Sequence, residues 1–188
     1  MNILPKYGLL QYRNTARIYS KPIAESLQLF REETKFLKVS LFLSYKHDEL
    51  EELDSAINFL KGFGVLIYTD YLFNNNNPTE EKSTTEMSDQ QIQQITEQKI
   101  KENKKFIFLA TEEAISSKRC KWELRYANTQ KAINDIAILP IREDYADYGG
   151  AEYLHKYPFI QKSDSDPEGY DVKFPNGNIT SLSAWLVS

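Results

Sequence analysis

Four apolar runs set the architecture: Val39–Tyr45, Val65–Thr69, Phe106–Ala110 and Ile136–Ile141. Each is short and almost uninterrupted by polar residues, the pattern of a strand buried on both faces. Between them lie segments with helical spacing. Leu50, Leu53, Ile57 and Leu60 fall on one face, with Asp48 and Glu51 spaced as a capping box and Gly62 and Gly64 as a stop. Ser88 and Gln91 repeat the capping-box spacing ahead of Ile92, Ile95 and Ile100, and a further helix is expected from about Lys118 to Ile133. Strands alternating with helices require a mostly parallel central sheet covered on both faces.

The expected fold class is therefore α/β, a flavodoxin-like three-layer arrangement. Residues 71–87, with Asn74-Asn75-Asn76-Asn77-Pro78, form a long polar connection. After Arg142 the pattern weakens; Tyr157–Ile160 reads as an edge strand and Ile179–Val187 as a closing helix. Ile23, Leu27 and Phe30 have helical spacing within Pro22–Lys38. This divides the chain into an N-terminal helical extension, residues 1–37, and one domain, residues 38–188.

Charge and cysteine usage exclude several functions. The first 38 residues hold 7 Lys+Arg against 3 Asp+Glu, the rest 16 against 24. An acidic main body does not suit nucleic-acid binding, which rests on neutralising phosphates. One cysteine, Cys120, allows no internal disulfide and, with two histidines, no structural zinc site. No apolar run approaches the ~20 residues of a membrane span and no secretory signal opens the chain. The expectation is a cytoplasmic protein without a metal.

Ligands of open α/β sheets bind beyond the carboxyl ends of the strands. That rim gathers Ser44–Asp48, Asp70, Thr111 and the start of the helix bearing Glu123. The loop after the first strand has no glycine-rich phosphate cradle, which disfavours dehydrogenases and P-loop enzymes. Asp70 invites a phosphorylated-receiver reading, but Ser44, Tyr45 and Lys46 stand where a receiver needs an acidic pair.

The same residues resemble the Toll/interleukin-1 receptor (TIR) domain. Phe42-Leu43-Ser44-Tyr45 with Asp48, Gly64 to Asp70, Ser117-Lys118-Arg119-Cys120-Lys121-Trp122-Glu123-Leu124 and Ile138-Leu139-Pro140-Ile141 are similar to four family boxes in their family order. Arg119 replaces the family's Trp four residues before the Glu, and the loop after Asp70 lacks the family's usual glycine. The resemblance implies NAD⁺ as substrate, with no cofactor, and Glu123 as the catalytic residue. It also implies substrate contacts from Ser44, Tyr45, Lys46, Asp48, Asp70 and Arg119. A single carboxylate suits that chemistry. Nicotinamide is already a cationic leaving group, so only the oxocarbenium-like ribose needs stabilising.

Each residue also has a plainer reading. Arg119, one turn before Glu123, keeps it ionised, binds pyrophosphate or is a surface ion pair. Ser44 and Asp70 equally suit turn or loop capping, and Tyr45 a strand-end aromatic. Thr111 reads as structural, Trp122 as core, His47 and His155 as solvated, and Cys120 as no nucleophile, for want of a base. Two functions follow. One is an NAD⁺-cleaving enzyme that releases nicotinamide and ADP-ribose, a cyclic isomer or an adduct. It resembles the signal-generating TIR proteins of Thoeris-type antiphage defence, with a separate effector reading the product. The other is a non-catalytic adaptor acting by TIR–TIR self-association.

Overall fold

A computed structural model describes residues 3–13, 40–70, 88–143, 148 and 150–188. The expected helix over Pro22–Lys38 and the polar connection at 71–87 lie outside the described residues. The elements run β1 (Leu4–Pro5), α1 (Lys6–Leu10), β2 (Ser40–Ser44), α2 (Leu50–Lys61), β3 (Leu66–Tyr68), α3 (Asp89–Glu102) and β4 (Lys105–Ala110). They continue with α4 (Glu112–Ser116), α5 (Lys118–Gln130), β5 (Ile136–Arg142), β6 (Phe159–Lys162), β7 (Tyr170–Lys173), β8 (Ile179–Ser181) and α6 (Leu182–Val187).

One sheet has the order β3-β2-β4-β5-β6-β7-β8, and β1 pairs with the carboxyl end of β5. Strands β3 through β6 are parallel, whereas β7 and β8 close the sheet as an antiparallel pair. The α/β architecture is as the apolar runs required. Two-residue periodicity divides the core between the faces. Leu41, Leu43, Ile107, Leu109 and Leu139 pack with α2 and α6, while Phe42, Phe106, Phe108, Ile136 and Ile138 pack with α3 and α5. Leu4 and Leu9 join the first cluster, so the start of the chain is built into the same core.

Three local expectations need correction. Asp48 does not cap α2. Its carboxylate pairs with the Lys46 ammonium two residues away, the N-cap position falls to Glu49, and no side chain caps the helix. Residues 157–160 do not form an edge, because β7 pairs with β6. Ile179–Ser181 is a strand, and only Leu182–Val187 is helical. The Ser88–Gln91 capping box is present in full. Gly64, at φ 72°, takes the left-handed turn that joins α2 to β3 and that a side chain would strain. Among the described residues, no helix is long and apolar enough to cross a membrane.

Candidate active site

Helix α5 buries Cys120, Glu123, Leu124 and Ala127, spaced i, i+3, i+4 and i+7. Glu123 therefore occupies a core-facing position. It points at the tip of β2, where Ser44 shares a face with Phe42 by strand alternation. The Ser44 hydroxyl donates to Glu123 Oε2 at 2.6 Å, and both residues are buried, 1% and 2% exposed. Cys120, from the first turn of α5, donates its thiol hydrogen to the Tyr45 carbonyl at 3.2 Å, fixing that turn against the same strand tip. Burial pushes the Cys120 thiol up to about 12, so it is no nucleophile near neutrality.

Arg119 joins the remaining parts. Its Nε donates to Glu123 Oε1 at 3.2 Å, and a terminal guanidinium nitrogen lies 2.5 Å from Asp70 Oδ2. Asp70 follows β3 and is itself buried. The centre is thus two carboxylates bridged by one guanidinium, not a solitary acid. Burial first, then the Asp70 charge, raise the Glu123 carboxyl to about 7 against the pull of Ser44 and Arg119. The Tyr45 hydroxyl and Asp70 Oδ1 are buried without hydrogen-bond partners among the described residues. Burial and the neighbouring Asp70 charge raise the Tyr45 phenol above its ordinary value.

The other expected residues divide. Lys46 and Asp48 lie on the outer rim and pair with each other rather than with Glu123. His47, read as solvated, is half-exposed but has Nδ1 3.6 Å from Asp70 Oδ2, and that carboxylate raises its pKa. Trp122, read as core, is partly exposed. It lies against Tyr126 and lines a cavity of about 200 Å³ between α3 and α5 with Asp89, Ile92, Gln93, Thr96 and Arg119. Thr111 caps α4 and donates to Glu49 Oε2 at 2.7 Å. Glu49 was not singled out from the sequence; burial raises its carboxyl to about 7. Thr111 followed by two glutamates was the available signal for α4.

The family profile described as "Thoeris protein ThsB, TIR-like domain" matches residues 42–147, more than half of the chain. The chain belongs to this family. All four boxes of the TIR-like domain, and every residue of the Ser44–Asp70–Arg119–Glu123 cluster, fall within the match. A curated relative from Bacillus cereus (strain MSX-D12), named "Probable 3' cyclic ADP-D-ribose synthase ThsB'", is 26% identical over 138 residues, 72% of this chain and 67% of its own length.

Proposed function

We propose that this TIR-like domain consumes NAD⁺, breaking the bond between nicotinamide and ribose, with Glu123 as the catalytic carboxylate. The observation that carries the reading is a buried carboxylate held in one place by Ser44 at the strand tip. In the reaction the C–N bonding pair leaves with the pyridinium nitrogen, so nicotinamide departs neutral without a general acid. Ionised Glu123 stabilises the oxocarbenium-like ribose left behind. Water, or a hydroxyl of the same dinucleotide, then attacks the anomeric carbon and gives up its proton to the carboxylate or solvent. The Tyr45 hydroxyl and the neighbouring Asp70 carboxylate are available to ribose hydroxyls.

The relative's name favours cyclisation over hydrolysis, so a cyclic ADP-ribose isomer is the product we favour, acting as a defence signal read by a separate effector in the cytoplasm. NAD⁺ is substrate, no further cofactor is needed, and TIR–TIR self-association orders the active form. Lys46 and Asp48, on the outer rim, contact the distal part of the dinucleotide.

The test is nicotinamide release from NAD⁺ by the purified chain beside Glu123→Gln, with mass spectrometry of the product. Release by the parent alone is expected; equal release by both removes Glu123 from the mechanism. A second reading, a non-catalytic adaptor, is favoured by one observation: both Glu123 oxygens already have protein partners. Strong self-association with no nicotinamide release at any protein concentration would support it.

A further inference from the structure

The carboxylate of Glu123 is closed off from any ligand by its own partners. Glu123 is 2% exposed, with Oε2 held by Ser44 and Oε1 by Arg119. A ribose cation needs a free carboxylate edge. Ser44 cannot yield one, because it is part of a paired strand and 1% exposed. Arg119 can: its side chain is 36% exposed and reaches its partners through a flexible stem.

The place it could go is already built. Arg119 lines the cavity of about 200 Å³ between α3 and α5, and the other walls suit a guanidinium. Trp122, three residues on, is its neighbour on the same helix face and offers an indole for stacking. The Trp122 ring is steadied by Tyr126, with centroids 5.9 Å apart and planes 24° from parallel. Asp89, in the first turn of α3, lines the cavity from the facing helix and brings a carboxylate to it.

We propose that Arg119 has two seats: one between Asp70 and Glu123, and a second in the α3–α5 cavity, against Trp122 and beside Asp89. The inference rests on the NAD⁺ reading above. In the first seat the guanidinium stands in for the substrate's own positive charge. When Arg119 moves to the second, the nicotinamide–ribose cation of NAD⁺ takes its place beside the two carboxylates. One cation replaces another, so no buried carboxylate is left uncompensated, a state that would be strongly unfavourable. Reduced nicotinamide is neutral and cannot make the exchange. Asp70 and Glu123 thus select a cationic ring, Arg119 is the positioning residue that compensates them until that ring arrives, and Trp122 and Asp89 act through Arg119.

The test uses calorimetric binding of NADH and of carba-NAD⁺, in which a methylene replaces the ribose ring oxygen and prevents cleavage. The intact chain, Trp122→Leu, Asp89→Asn, Arg119→Ala and the doubles are compared. Trp122→Leu and Asp89→Asn should each weaken carba-NAD⁺ binding about 3–10-fold, the scale of one cation–π or ion-pair contact. In the Arg119→Ala background both effects should vanish, while the preference for carba-NAD⁺ over NADH should be kept or increased, because no guanidinium then competes with the cationic ring for Asp70 and Glu123. Asp89 is an exposed position, so its variant reports even if Trp122→Leu unfolds. Equal losses in both backgrounds, or none in either, overturn the second seat while leaving Glu123-dependent nicotinamide release standing. Failure of every form to bind carba-NAD⁺ overturns the NAD⁺ reading and the second seat with it.

Discussion

Replacing Ser44 by Ala isolates the hydrogen bond that anchors Glu123. The hydroxyl donates at 2.6 Å to a carboxylate buried with it, and a hydrogen bond to a charged group contributes about 1.5–3 kcal/mol. Its loss penalises only the ionised form. At 1.36 kcal/mol per pKa unit, the Glu123 carboxyl should rise by roughly one to two units from its value of about 7. At pH 7.5 the ionised fraction would fall from roughly three-quarters to between a quarter and a few per cent. Nicotinamide release at that pH should drop about 3–25-fold. The sign follows from the ionised form being the active one: activity rises with pH through the carboxyl pKa, and the variant's rise comes later. At pH 9.5 the two enzymes should converge, and Ser44→Thr, which keeps the hydroxyl, should restore the parent profile. The assay is the rate of nicotinamide release from pH 6 to 9.5, with the Glu123 carboxyl titrated directly by ¹³C NMR in labelled protein. A uniform loss at every pH, with the NMR midpoint unmoved, would refute the reasoning.

Glu123→Gln should stabilise the fold above neutrality. The folded-state pKa of about 7 lies above the ordinary value of 4.5, so the cost of a buried charge is absent below pH 4.5, grows to pH 7 and is constant beyond. The full difference is about 3 kcal/mol, or roughly 6–12 °C in melting temperature for a chain of this size. Melting curves of variant and parent should diverge between pH 4.5 and 8; a constant gap would contradict the assignment. Glu49, also raised to about 7, affects both proteins alike and cancels in that comparison. At the opposite end of the sheet, Lys105 is 1% exposed, pairs with Asp135 at 2.6 Å and lies over the Trp185 ring at 4.9 Å. Asp135→Ala leaves the buried ammonium with no anionic partner, only the Ser188 hydroxyl at 3.1 Å and the Trp185 ring, and should cost about 3 kcal/mol in urea unfolding. Lys105→Met leaves only a half-exposed carboxylate, which water can reach, and should cost less; the reverse order would refute this asymmetry.

The four central strands were legible because a run such as Phe106–Ala110 has no competing pattern. Strand β7 was not read, although Tyr170-Asp171-Val172-Lys173 alternates and Pro175-Asn176-Gly177-Asn178 is a strong turn signal, with Gly177 at φ 89°. Missing that hairpin made residues 157–160 look like an edge. Spacing alone places Asp48 at the start of α2, but the Lys46 ammonium two residues away has the stronger claim on its carboxylate. The approach of Ser44 to Glu123 was implicit in two periodicities, strand alternation and helical spacing, combined with strand order. The bridge from Arg119 to Asp70 depends on how α5 lies across the strand ends, and the cavity wall at Trp122 on how α3 packs against α5. Local sequence carries no information about that packing.

Arg119 also shows why the resemblance alone would mislead. At the family's Trp position an aromatic ring forms one wall of a pocket. A guanidinium there instead joins Asp70 to Glu123 and supplies the charge that permits both to be buried. The aromatic surface reappears three residues later, at Trp122, on the far side of the arginine. Substituting Trp for Arg119 would therefore not simply restore the family pattern. It would leave two buried carboxylates without their cation and fill the space between them and the α3–α5 cavity. In this chain the loss of an aromatic wall and the gain of a counter-ion are one change, which ties Asp70 to the site electrostatically rather than by direct contact with Glu123.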